Sequence, residues 1–238
     1  MSTRCHKLDC PLQNVQTGLV PRSDKICALR EQRIATYHLY PCGTVLLQQG
    51  ETGGYLHFLR RGRVKFTVTT GDGQEQILSL GDSGRILGME ALNDTVASST
   101  VTALTEVLVC QIPIGQAKQI MIRNPSVLMR LVAYLNHELA LAGNMIRNFG
   151  VLNAQERVAW FILSLIPADW QPDSGIPLPL PRKDIAQMLG LRAETFSRQL
   201  GRIKRLGLLR ELDHNFFVAD PDRLKMLVGP SMAAYKEI

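Results

Sequence analysis

No stretch of this chain approaches the roughly eighteen consecutive apolar residues of a membrane-spanning helix, and no charged-then-apolar leader opens it. Neither a membrane anchor nor export is therefore expected, and the cytoplasm is the expected compartment. Cysteine is scarce: five occur, an odd number without a secretory signal, which argues against a disulfide framework and for free thiols in a reducing environment. The glycine patterns that cradle phosphates in P-loop and Rossmann units are absent. So are HExxH, GxSxG and any pair of acids set for acid–base work. These absences argue against an enzyme. What is present is a chain of 238 residues, 45% of them apolar, enough for real cores in one large or two modest domains.

Charge is the most uneven property. Pro181 to Arg210 holds eight basic side chains (Arg182, Lys183, Arg192, Arg198, Arg202, Lys204, Arg205, Arg210) against two acids (Asp184, Glu194), an excess equal to the formal net charge of +6 of the whole chain. Excess charge packed into one short segment points to a polyanion partner, because neutralising phosphates releases condensed counterions. The same segment has helix–turn–helix grammar. Asp184 to Leu189 reads as a short helix with Ile185, Met188 and Leu189 on one side, and Gly190 stands where the turn needs a permissive φ. Ala193 to Leu206 reads as a second helix, with Phe196, Leu200 and Ile203 facing inward at i, i+4, i+7.

On the outward face of that second helix, Glu194, Ser197 and Arg198 project together from the first turns, the part that enters the major groove in this motif. An arginine there can take guanine O6 and N7 together, a glutamate can accept from a cytosine amino group, and Ser197 can serve a base or a phosphate. Thr195, Arg202 and Lys204 are placed for phosphates, which fix register without reading sequence. The bland alternative is a solvated helix carrying an ordinary i, i+4 Glu–Arg pair. Leu209–Leu212 and Phe216–Val218 read as the strands of a hairpin turned at Asp213-His214-Asn215, which makes the module a winged helix–turn–helix and His214 a turn residue.

Upstream, glycines from Gly43 to Gly88 punctuate short strand-like runs, such as Thr44–Leu47, Tyr55–Leu59, Val64–Val68, Gln76–Leu80 and Val101–Ile112. Gly71-Asp72-Gly73 is a hairpin signal, and the pattern describes a barrel or double-sheet roll. From about Pro125 to Phe149 a helix keeps a heptad: Leu128, Val132, Leu135, Leu139, Ala142, Ile146 and Phe149. Such a/d spacing favours a two-stranded seam, hence a homodimer, over a face packed only within its own domain. A dimer would place two helix–turn–helix units about one DNA turn apart.

A glycine-turned roll, a long helix and a winged helix–turn–helix, in that order, resemble the CRP/FNR family of bacterial transcription regulators from about Cys42 to Val218. Gly43-Thr44-Val45-Leu46…Gly50-Glu51 resembles the first roll turns, and Ala103 to Pro113 the last roll strand of the FNR branch. Asn153-Ala154-Gln155-Glu156-Arg157-Val158-Ala159 is similar to the hinge after the dimer helix, and Arg182 to Arg205 to the DNA-reading module. The resemblance implies an α+β chain: an N-terminal arm (1–22), a cyclic-nucleotide-binding-like double-sheet roll (23–118), a dimerisation helix (119–150) and a winged helix–turn–helix domain (151–238). It also implies RNA polymerase as a partner beside double-stranded DNA.

Two departures locate it within that family. The cyclic-AMP branch has an Arg-Ser pair after the Gly-Glu of the ligand turn, whereas here Gly88-Met89-Glu90 is followed by Ala97-Ser98-Ser99-Thr100, with no arginine for the phosphate. Cyclic AMP is therefore not expected. In the recognition helix, Ala193-Glu194-Thr195-Phe196-Ser197-Arg198 is similar to the FNR-branch pattern, which implies TTGAT-like half-sites read by Glu194, Ser197 and Arg198.

The sensed signal has three open readings. The FNR branch holds an oxygen-labile 4Fe–4S cluster on three N-terminal cysteines and one roll cysteine, and Cys110 falls on the roll position. Cys5, Cys10 and Cys27 would complete four thiolates, yet their spacing lacks the branch's tight run, and His6 is a weak substitute. The second reading is a cluster-free regulator governed by abundance, thiol redox or another ligand. The third is haem or another small molecule in the roll. Oxygen-sensing members carry an acid where this chain has Ala142, so here the seam lacks that charge penalty on dimerisation. Cys42, beside a turn glycine, reads as structural.

Overall fold

The computed structural model describes residues 34–166, 170–171, 174–212 and 215–228. Residues 1–33, with Cys5, His6, Cys10 and Cys27, lie outside them, as does His214. The chain divides into two compact units, Met1–Asn136 and His137–Ile238.

The first unit is built from eight strands: β1 (Thr36–Tyr40), β2 (Val45–Leu47), β3 (Tyr55–Arg61), β4 (Val64–Thr69), β5 (Glu75–Gly81), β6 (Ile86–Leu87), β7 (Thr100–Ala103) and β8 (Val107–Pro113). They form two four-stranded sheets, ordered β1-β8-β3-β6 and β2-β7-β4-β5. Leu59, Val107 and Val109 of the first sheet pack with Val64, Val101 and Ala103 of the second, which closes the roll's interior. The opposite face of the first sheet presents Leu56, Phe58, Ile86, Cys110 and Ile112 to Ala117 and Ile120 of helix α1 (Ile114–Arg123) and to Val127 and Leu131 of helix α2 (Pro125–Val151). Each of the leucine, isoleucine, valine and phenylalanine side chains contributes about 1.5–3 kcal/mol by leaving water. Alternation along β3 and β8 thus serves two cores at once.

Where the turns are tight, glycine is required. The β4–β5 hairpin closes with the Gly73 N–H donating to the Thr70 carbonyl at 2.8 Å while Gly73 sits at φ +81. At Gly62, also at positive φ, a Cβ would stand 2.4 Å from the Glu106 carbonyl oxygen. The run Val101–Ile112, expected as one strand, breaks after Ala103, and β7 and β8 belong to different sheets. In the break, the Leu104 N–H donates to the Arg63 carbonyl and the Thr105 hydroxyl accepts from the Arg63 N–H. The chain changes sheets there, so continuous β propensity could not reveal the interruption.

Asn124 separates α1 from α2 because the residue before a proline is disfavoured in the helical region; it adopts φ −132, ψ 84. The α2 helix ends at Val151, and α3 (Ala154–Ser164) restarts from a capping box. Asn153 Oδ1 accepts from the Gln155 and Glu156 N–H groups, and Glu156 Oε2 accepts from the Asn153 N–H.

In the second unit, Val158, Phe161 and Ile162 of α3, Ile185 of α4 (Arg182–Met188) with Leu189 just after it, and Phe196, Leu200 and Ile203 of α5 (Ala193–Arg205) are all buried. Leu224 of α6 (Pro221–Val228) is equally buried. A small antiparallel sheet, ordered β10-β11-β9, carries the wing: β10 is Leu209–Leu212, β11 is Asn215–Val218, and β9 (Ile176–Pro177) adds an edge. Among the described residues no helix is long and apolar enough to cross a membrane.

Candidate nucleic-acid interface

The turn between α4 and α5 is a Schellman cap. Gly190, at φ +64, donates to the Gln187 carbonyl and the Leu191 N–H donates to Ala186, both at 2.9 Å. With the first helix stopped there, α5 turns Phe196, Leu200 and Ile203 fully inward, at 0, 2 and 0% exposure. The helical period then leaves Glu194, Ser197 and Arg198 exposed together on the opposite side of its first turns. The ordinary i, i+4 Glu–Arg pair is not made: among the described residues neither Glu194 nor Arg198 has an ion-pair partner. Arg202 is exposed and Thr195 half-buried on the flanks.

Lys204 is differently disposed. Its Nζ donates to Glu211 Oε2 of the wing strand β10, while Arg182 Nη2, from the first residue of α4, donates to the other carboxylate oxygen. Burial opposes ionisation of Glu211, but hydrogen bonds from Lys204 and Arg182, together with their charges, outweigh it and hold the carboxyl below the usual glutamate range. Glu211 was not legible as a site residue. Its signal, an acid placed directly after a long basic run, is faint in sequence and clear only once β10 brings it over both helices.

Arg157 is a second residue that sequence reading named only within a hinge pattern. Its Nε donates to the Leu152 carbonyl at 3.0 Å, Nη2 to Phe149 at 2.6 Å and Nη1 to Leu189 at 3.4 Å. It thereby ties the end of α2 to the helix–turn–helix turn, and its guanidinium lies 5.5 Å from the Phe149 ring centre.

Along α2 the heptad residues are uncovered. Leu128, Val132, Leu135, Leu139 and Ile146 are 47, 41, 46, 71 and 73% exposed, and Ala142 is exposed too. Phe149, under Arg157, is half-buried. The other side of the helix holds Val127 and Leu131 in the roll core, and the Tyr134 hydroxyl accepts from the Ile86 N–H. Among the described residues α2 thus carries two apolar faces, one packed on the roll and one uncovered.

In the roll, the loop after Gly88 forms a 3₁₀ turn, Met89–Asn93, whose Glu90 carboxylate accepts from the Ser98 hydroxyl at 2.7 Å and from its N–H at 3.4 Å. Between Gly88 and Thr100 there are two acids, Glu90 and Asp94, and no base. Asp94 is paired with Lys118 of α1, whose Nζ donates to its carboxylate at 2.9 Å. Of the four cysteines considered for a cluster, Cys110 is described. It is buried among the apolar side chains facing α1 and α2. Among the described residues no three His, Cys, Asp or Glu side chains gather as a metal-binding group, so these residues do not by themselves make a cluster site. Cys42 is exposed, and its thiol donates to the Leu104 carbonyl.

Residues 37–124 match the cyclic nucleotide-binding domain family, and residues 156–227 match the Crp-like helix-turn-helix domain family. The chain is 29% identical over 188 residues to the anaerobic regulatory protein of Haemophilus influenzae, covering 78% of this chain and 73% of that protein. It is 29% identical over 191 residues to the fumarate and nitrate reduction regulatory protein of Escherichia coli K12, covering 79% of this chain and 76% of that one. In fold it is similar to FixK2 of Bradyrhizobium japonicum, with a TM-score of 0.72 at 24% identity, covering 82% of this chain and 97% of that structure.

Proposed function

Because the chain belongs to the CRP/FNR family of DNA-binding transcription regulators, we propose that it acts in the cytoplasm as a homodimer reading a two-fold TTGAT-like site and addresses RNA polymerase from there. The observation that carries this reading is the outward face of α5, where Glu194, Ser197 and Arg198 stand exposed on the first turns over a fully buried stripe. In it, Glu194 and Arg198 contact base edges, Ser197 assists, and Thr195 and Arg202 grip phosphates. The uncovered heptad face of α2 supplies the dimer seam. Dimerisation then spaces two recognition helices for two half-sites.

The signal is proposed to be redox-linked, in keeping with the names of the anaerobic and fumarate-and-nitrate relatives. Cyclic AMP is not the proposed ligand, since the stretch from Gly88 to Thr100 holds no arginine to pair with its phosphate. The test is Arg198→Ala. Binding to the palindrome should weaken by about 1–3 kcal/mol, while binding to a duplex with the half-site guanines replaced changes little. Equal weakening on both duplexes would reduce Arg198 to a phosphate contact and remove base reading from this face.

A further inference from the structure

Glu211 is an acid set into the most basic part of the chain, on the surface that the proposed function turns toward a polyanion. Its side chain is 12% exposed, and each carboxylate oxygen takes its own cation: Arg182 from the start of α4 and Lys204 from the last turn of α5. A wing tether alone would need only a hydrogen-bond acceptor. A carboxylate near the phosphate path raises repulsion, unless its effect is to occupy cations that would otherwise seek phosphates. Arg182 and Lys204 remain 48 and 33% exposed, so both ends are within reach of solvent and of a polyanion once released.

We propose that Glu211 is an internal counter-charge: it holds Arg182 and Lys204 off the DNA backbone and thereby sets the salt sensitivity and non-specific grip of the winged helix–turn–helix. The proposal rests on the reading of α5 as the DNA face. Its consequence is that the tightness of binding to arbitrary sequence is limited by one residue outside the base-reading face. That matters because a regulator must find few sites among very many competing ones.

The experiment compares the wild-type dimer with Glu211→Gln, Arg182→Gln and the double variant on a random-sequence duplex across a salt series. Each phosphate contact contributes about 0.9 to the slope of log affinity against log salt. Glu211→Gln should steepen that slope by about 1 to 2 and tighten non-specific binding roughly tenfold or more at low salt. Arg182→Gln in the wild-type background should leave the slope unchanged, whereas in the Glu211→Gln background it should lower the slope by about 0.9. An unchanged slope in Glu211→Gln, with a wild-type melting transition, would overturn the counter-charge role and leave Glu211 as a tether. So would a slope loss of about 0.9 from Arg182→Gln alone, which stays readable if Glu211→Gln does not fold. A wild-type chain showing no salt-dependent DNA binding would instead bring down the DNA face itself, and the proposal with it.

Discussion

His57 stands on β3 at 5% exposure, on the same side of the strand as Leu59, and among the described residues its Nδ1 has no hydrogen-bond partner. Burial, and then the nearby His38, push its pKa down to about 4 from the ordinary 6.5, against a smaller opposing effect of the Tyr55 backbone. The unfolded chain therefore takes up this proton first. Stability should fall as pH drops from 6.5 toward 4 and level off below, a loss of about 3 kcal/mol in all. Urea unfolding at a series of pH values should show this slope in the wild type and a flatter one in His57→Leu; identical slopes would mean that His57 is hydrated or paired. His57 escaped sequence reading because one histidine in a strand gives no hint of which face it takes. Gly190 and Phe196 were legible because backbone sterics and helical period act locally. Glu211 was not, because its partners lie 29 and 7 residues away in sequence and meet only through the wing.

Elements with a clean period were the ones the sequence announced. α5 and α2 have apolar residues at helical spacing, and the structure forms them over Ala193–Arg205 and Pro125–Val151. The wing strands were foreseen within one residue. α3 was read only as a hinge, because Val158 to Ile162 are all buried and a segment apolar all round offers no period. β9, two residues long, exists only as an edge on β11. The dimer prediction belongs at this scale. Leu139, 71% exposed on α2, should tolerate Asp in the folded monomer while placing two charges in the seam. Losing its burial costs each copy about 1.5–3 kcal/mol, so Leu139→Asp should weaken association a hundredfold or more. Sedimentation of a well-folded variant that remained dimeric would contradict the seam.

At the scale of the whole molecule, charge and architecture agree. The net +6 is matched by the excess within Pro181–Arg210, the roll carries surface ion pairs such as Arg61–Glu106 and Arg63–Asp82, and the uncovered heptad face of α2 carries Leu128, Val132, Leu135, Leu139 and Ile146. The broad class was legible for that reason: a glycine-turned strand region, a heptad helix and a basic helix–turn–helix follow one another along the chain. The sensed signal was not, because a sensing site is defined by a handful of convergent side chains rather than by a period. The central claim is that two chains joined along α2 read two half-sites with two copies of the Glu194, Ser197 and Arg198 face. It is tested most directly by titrating labelled TTGAT-N4-ATCAA against a duplex carrying one half-site, at fixed salt, and determining the stoichiometry. Two chains per palindrome, with about a thousandfold or greater preference over random duplex and a marked loss when one half-site is scrambled, is the result expected. One chain per duplex, or equal affinity for all three, would contradict it.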